Sequence, residues 1–186
     1  LKSAVIARWA KPRAIYGFSS PREKLARRFY SQKIQAAGTH IVEQNLSLAE
    51  SLAQVKIKMQ SALLPHDEAA EQKMQHWLYE RKISRFALLN PGAGWGAKQW
   101  PADRYGEVAK KLAADGLSCL INFGPQEETL AKIVQQKSGG SAQPVECSIT
   151  DLIALTRRAS LFVGGDTGPM HLAAALGVPV VAIFGP

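Results

Sequence analysis

The chain has 186 residues, 46% of them hydrophobic and 20% charged, with a formal net charge of +8. That composition excludes a wholly disordered chain and suffices for the core of one domain or one and a half. No run of 18 or more apolar residues occurs, so no membrane-spanning helix is expected, and the opening LKSAVIARWAKPR is too broken by charge for a secretory apolar region.

In chain order, KSAVIARWA reads as helical and AIYGF as a strand. PREKLARRFYSQ reads as a helix with proline at its start, and THIVEQNLSLAESLAQ as a helix behind a cap at Thr39. Residues 61–84 carry a polar helical stretch, DEAAEQKMQHWLYERK, and read as a linker. From residue 86 apolar strand-length runs alternate with helical periodicity. FALLNPG (86–92) precedes a helix from about Asp103 to Asp115, and LSCLINFG (117–124) precedes a helix through EETLAKIVQQ. A short strand near PVEC leads to a helix from about Thr150. ASLFVGG (159–165), a helix after Asp166 and the strand-like VPVVAIFGP complete the series. Strands this uniformly apolar are covered on both faces, which predicts a parallel sheet between two layers of helices. The expected organisation is a partial domain at 1–60, the linker at 61–84 and a Rossmann-like domain at 85–186, with further chain expected beyond both ends.

The charge is local. Nine bases and one acid fall in residues 1–39, against fourteen of each in 40–186. An anionic partner is therefore expected for the first fifth of the chain: phosphorylated lipid, a membrane surface or nucleic acid. Within it Arg22, Arg27, Arg28 and Lys33 are either a solvated helix face or a set of phosphate or carboxylate ligands. The two cysteines, Cys119 and Cys147, have no CxxC neighbour and no histidine cluster. They read as small buried residues in a reducing compartment rather than as metal ligands, a nucleophile or a disulfide.

Three segments carry the chemistry. In FVGGDTGPMHLAAALGVPVVAIFG, Gly164 and Gly165 are expected to turn the chain and Asp166 to cap the next helix. The amides of Thr167, Gly168 and the first turn would then form an anion site suited to a diphosphate, with His171 one turn on from Thr167. In NPGAGWGAKQWP, the amides near Gly92, Ala93 and Gly94 and the Lys98 ammonium are expected to hold a phosphate between them, although GxxxxGK[ST] cannot be written through Lys98. Trp100 and Pro101 read as a wedge between that loop and the following helix. In NFGPQEE, Glu127 or Glu128 either complements the helix dipole or accepts hydrogen bonds from ribose hydroxyls.

At GGDTGPMHLAAALGVPVVAIFGP, with NPGAGWGAKQWP and NFGPQEE in matching order, the sequence resembles glycosyltransferase family 9, the ADP-heptose:lipopolysaccharide heptosyltransferases. The resemblance implies a GT-B architecture of two Rossmann-like domains with parallel sheets, the first incomplete here. It implies metal-independent, cofactor-free inverting transfer of heptose from ADP-heptose or a similar nucleotide sugar to the phosphorylated, lipid-linked inner core of lipopolysaccharide. By the same resemblance Lys98 would neutralise the leaving diphosphate, and Glu127 would match the ribose-binding acid, with Glu128 an alternative. Thr167 and Gly168 would hold phosphate oxygens, and Asp166 and His171 would contact donor hydroxyls or phosphate. Arg22, Arg27, Arg28 and Lys33 would face the acceptor. The general base is expected upstream of Leu1. The implied location is cytoplasmic, with peripheral contact at the inner membrane and no nucleic-acid partner. The alternatives are a non-catalytic nucleotide- or anionic-glycan-binding protein of the same fold, and a Rossmann-type oxidoreductase or epimerase. The last is disfavoured because no GxGxxG follows a strand.

Overall fold

The computed structural model describes residues 1–58, 64–94, 96 and 99–185. The chain divides into two compact units, Leu1–Ser61 and Ala62–Pro186.

The first unit holds α1 (Lys2–Trp9), β1 (Tyr16–Phe18), a 3-10 helix (Lys24–Phe29), β2 (Gln32–Ile34) and α2 (Ile41–Ala53). β1 and β2 run parallel, with Gly17 opposite Lys33. The expected helix over PREKLARRFYSQ is cut short. It ends at Phe29, and Ser31 instead ties the chain to Ile15, which donates to its Oγ at 2.7 Å. Gly17 is required because the Tyr30 ring lies where its Cβ would stand. The cap of α2 is His40, one residue beyond the expected Thr39: its Nδ1 accepts from Val42 N–H at 3.3 Å, and Glu43 Oε2 accepts from His40 N–H at 3.0 Å. Together they satisfy amides that the helix itself leaves open.

The second unit contains α3 (Glu68–Glu80), β3 (Phe86–Asn90), α4 (Ala102–Ala114), β4 (Ser118–Asn122), α5 (Glu128–Lys137), β5 (Ala142–Val145), α6 (Ile149–Arg158), β6 (Leu161–Gly165), α7 (Gly168–Ala175) and β7 (Val180–Ile183). Its five strands are parallel in the order β5-β4-β3-β6-β7. Alternate residues of each strand feed opposite faces. Phe86, Leu88, Leu120 and Phe162 join Met74, Leu78, Leu155 and Ala173 beneath α3, α6 and α7. Ala87, Leu89, Ile121 and Val163 join Tyr105, Ala109 and Val134 beneath α4 and α5. This is the doubly covered sheet that the apolar runs predict, with element ends within a few residues of the expected ones.

The stretch 61–84 supplies α3, whose Ala70, Met74 and Leu78 are buried in the core of this unit. Asp67 caps it, accepting from Ala70 N–H at 3.0 Å. Its Glu71 is buried and pairs with Arg158 and, at 3.2 Å, with Arg157 Nε. Gly164 and Gly165 close β6 and are not its turn. Gly164 stands opposite Asn90, and a Cβ there would come within 3.2 Å of the Asn90 Cβ.

Candidate functional site

In this sheet the chain winds outward from β3 through β4 to β5, then crosses back through α6 to place β6 on the other side of β3. Loops leaving the carboxyl ends of β3 and β6 therefore diverge, and ligands of open α/β sheets bind in the crevice so formed. A cavity of about 280 Å³ lies there, close to the lower end of the range for small-molecule sites.

Four loops wall it. Asn90, Gly92, Ala93 and Gly94 follow β3, and Asn122, Phe123, Gly124 and Glu127 follow β4. Cys147, Ser148, Ile149 and Leu152 come from the turn into α6, and Thr167 and Pro169 from the turn into α7. The Glu127 carboxylate accepts from Gly124 N–H at 2.8 Å and rests on Gly92, so closely that a Cβ at Gly92 would overlap it. Glycine at 92 is therefore a condition for seating that carboxylate. Glu128 points elsewhere: it is exposed, begins α5 and accepts from Gln126 N–H at 3.3 Å. Of the two acids, Glu127 lines the cavity.

The turn into α7 differs from the expectation. Thr167, not Asp166, is the cap residue, and no side chain caps the helix. The amides of Met170 and His171 donate to the Thr167 carbonyl at 3.1 and 3.2 Å, and Pro169 has none. Among the amides of this first turn, that leaves the Gly168 N–H for an anion, and a Cβ built on Gly168 would meet nothing within 4 Å. His171 does not point with Thr167 into the cavity: its Nε2 lies 3.2 Å from Asp166 Oδ1, and the imidazole is exposed. Of Asp166, Thr167, Gly168 and His171, only Thr167 lines the cavity. Lys98 lies outside the described residues. Trp100 stacks edge-on against Tyr105 of α4 with centroids 4.9 Å apart, the wedge expected of it.

In the first unit Arg22, Arg27, Arg28 and Lys33 are all exposed, and among the described residues none makes an ion pair. Arg27 lines a hollow with Lys24, Ser19, Ser20 and Pro21.

Cys119 is buried as expected, but Cys147 is only partly covered and lines the cavity. Burial, reinforced by the Asp151 carboxylate, pushes its thiol up to about 12, so it is a neutral wall atom at physiological pH and not a nucleophile. Both cysteines are free. Among the described residues no group of three or more histidine, cysteine or acidic side chains is arranged to hold a metal, and no helix is long and apolar enough to cross a membrane.

Asn90, Asn122 and the turn into α6 escaped the sequence reading. A signal for the asparagines was present. LLNPG and LINFG share two apolar residues, asparagine and a glycine two places on, and they end neighbouring strands. ECSITD likewise carries a capping box: Ser148 Oγ accepts from Asp151 N–H at 3.1 Å, and Asp151 Oδ2 accepts from Ser148 N–H at 3.0 Å.

The family model for glycosyltransferase family 9 (heptosyltransferase) matches residues 1–186. Lipopolysaccharide heptosyltransferase 3 of Escherichia coli K12 is 30% identical over 154 residues, 80% of this chain and 44% of that protein. Lipooligosaccharide heptosyltransferase 2 of Campylobacter jejuni serotype O:2 is 30% identical over 169 residues, 88% of this chain and 52% of that protein. The structure of E. coli heptosyltransferase WaaC with ADP superposes with a TM-score of 0.69 at 26% identity, covering 100% of this chain and 59% of that one. The chain thus spans about half the length of the curated relatives it matches. With a parallel α/β unit of the GT-B type and a family match along its whole length, the chain belongs to glycosyltransferase family 9, the heptosyltransferases.

Proposed function

We propose that the protein transfers heptose from ADP-heptose to the phosphorylated inner core of lipopolysaccharide, and that the cavity at the carboxyl edge of the sheet holds the ADP portion of the donor. The observation that carries this reading is the seating of Glu127. A carboxylate held by a backbone amide at the mouth of a crevice between diverging loops is an acceptor for ribose hydroxyls. The apolar side of the cavity, Ile149, Leu152 and Phe123, suits a nucleobase.

In this reading the diphosphate extends toward the opening of α7. There the Gly168 amide and the Thr167 hydroxyl meet its oxygens, and Ala93 and Gly94 offer backbone alone. Asp166 beside a diphosphate would repel it, so its carboxylate is assigned to the transferred sugar's hydroxyls, with His171 as its hydrogen-bonding partner. Lys98 is assigned to the leaving group. As the acceptor hydroxyl forms its bond to the anomeric carbon and passes its proton to a carboxylate, the bond from that carbon to the diphosphate breaks. The added charge on ADP is then offset by the ammonium. No step calls for a metal ion. Arg22, Arg27, Arg28 and Lys33 are assigned to acceptor phosphates and to peripheral contact with anionic lipid; exposed and unpaired, they remain available for it.

Titration with ADP, UDP and NAD tests the donor assignment. ADP is expected to bind most tightly, Lys98→Ala is expected to weaken it, and Asp166→Ala is expected to weaken binding of ADP-heptose but not of ADP. Release of ADP from ADP-heptose only when deacylated core acceptor is present separates turnover from binding alone. Preference for NAD would sink the reading.

A further inference from the structure

Two amide side chains are buried side by side at the back of the cavity. Asn90 ends β3 and Asn122 ends β4, and they are only 4% and 6% exposed. Asn122 Nδ2 donates to Asn90 Oδ1 at 2.6 Å, and Asn90 Nδ2 donates to the Gly92 carbonyl at 3.2 Å. Gly164, opposite Asn90 on β6, leaves room for it where a Cβ would crowd it.

This chain of bonds has a direction. A carbonyl oxygen can only accept, so Gly92 dictates that Asn90 presents its Nδ2 to the loop and its Oδ1 to Asn122. Asn90 Oδ1 in turn can only accept, so Asn122 must present Nδ2 to it. Asn122 Oδ1 is left over. No described residue donates to it, and it is not among the sealed, unpartnered polar atoms, so it keeps access to the cavity that Asn122 lines. Open to the cavity, this oxygen accepts from water, and a ligand that displaces the water must bring a donor of its own or leave the oxygen without a partner.

We propose that Asn122 reads the ligand through this oxygen, whose orientation Asn90 locks, and that the group it reads is a ribose hydroxyl. The inference rests on the assignment of the cavity to a nucleoside diphosphate. Position favours the ribose over the base. The same Gly92 whose carbonyl holds Asn90, the partner of Asn122, carries the Glu127 carboxylate against its Cα, so the asparagine pair and Glu127 converge on one residue. Two of the three apolar residues suited to a base, Ile149 and Leu152, lie on the α6 side. A ribose offers two vicinal hydroxyls, one for Glu127 and one for Asn122, and the cavity would reject nucleotides lacking either.

The test is calorimetric titration of the 186-residue chain with ADP, 2′-deoxy-ADP, 3′-deoxy-ADP and inosine diphosphate. The wild type is expected to bind each deoxy analogue about fivefold or more weakly than ADP. Asn122→Leu is expected to abolish discrimination against one deoxy analogue and keep it against the other, and Glu127→Ala to do the converse. Should Asn122→Leu fold poorly, the double variant Asn90→Leu/Asn122→Leu, which leaves no orphaned amide, must show the same one-sided loss. If Asn122→Leu lowers affinity for all four ligands alike, the residue is structural and the inference falls while the donor site stands. A change confined to the ratio of ADP to inosine diphosphate assigns the oxygen to the base and overturns the ribose reading. Absence of saturable binding of any nucleoside diphosphate to the folded wild type removes the donor site itself, and this inference with it.

Discussion

Lys73, midway along α3, reaches the first turn of α6 and places its ammonium 2.6 Å from Asp151 Oδ2. Asp151 is the same carboxylate that closes the capping box with Ser148, and Ser148 lines the cavity. A helix taken from sequence as a linker therefore braces one wall of the candidate site.

This pair sets a pH dependence. Burial pushes the Asp151 carboxyl up, but hydrogen bonds from Lys73 and Ser148 outweigh it and hold the group below its ordinary 3.8. A depressed acid stabilises the fold fully above its unfolded value and loses that contribution as pH falls through the folded one. The hydrogen bond to Asp151 outweighs burial at Lys73 and raises its ammonium above the ordinary 10.5, so its share is complete below that value and lost as pH rises past it. The difference in melting temperature between wild type and Lys73→Met should be level across neutral pH and shrink below pH 3.8 and above 10.5. A difference that instead changes between pH 5 and 9 would show that another group governs it.

Ser148→Ala removes the cap that receives Asp151 N–H. The expected cost is about 1 kcal/mol of unfolding free energy, read by urea denaturation, together with weaker ADP binding because the wall it anchors loosens. A loss of stability with ADP affinity unchanged would separate the cap from the site.

Gly92→Ala places a methyl group against the Glu127 carboxylate, the movable end of a side chain. The fold should therefore survive with a melting temperature near that of wild type. ADP affinity should fall to the level of Glu127→Ala, since the same carboxylate is displaced in one variant and absent in the other. Retention of wild-type affinity by Gly92→Ala would show that the seat of Glu127 is dispensable.

Cys147 lines the cavity, yet burial and the nearby Asp151 carboxylate push its thiol up to about 12. Alkylation by iodoacetamide, followed by mass spectrometry, should be negligible at pH 7.5 and still accelerating at pH 10, and ADP should slow it. Rapid labelling at neutral pH would contradict this placement of the thiol.

Leu88 and Leu120 are fully buried neighbours on the face under α3, α6 and α7. Either leucine replaced by alanine should cost about 2–5 kcal/mol, measurable as a shifted denaturation midpoint. A much smaller cost would imply that the core collapses around the gap.

The alternation of apolar strands with amphipathic helices was legible from residue 86 onward because burial on two faces leaves no polar position inside a strand. FALLN, with all five residues covered, shows it directly. Glu127 was nominated by its place after a strand and a glycine turn, but its choice over Glu128 needed the fold, since Gly92 lies 35 residues away and only the pairing of β3 with β4 brings it beneath that carboxylate. The opening of α7 was located from GGDTGPMH. Yet the pairing of His171 with Asp166, and the loss of Met170 and His171 amides to Thr167, follow from the turn's backbone path.

From residue 86 onward, local composition and periodicity therefore determined which segments are strands and helices, because those properties depend on residues within a few positions of one another. Tertiary structure alone decided which polar groups meet. Asn90 and Asn122 are 32 residues apart, and the direction of their amides comes from a carbonyl that can only accept, a constraint that exists once the two strand ends lie side by side.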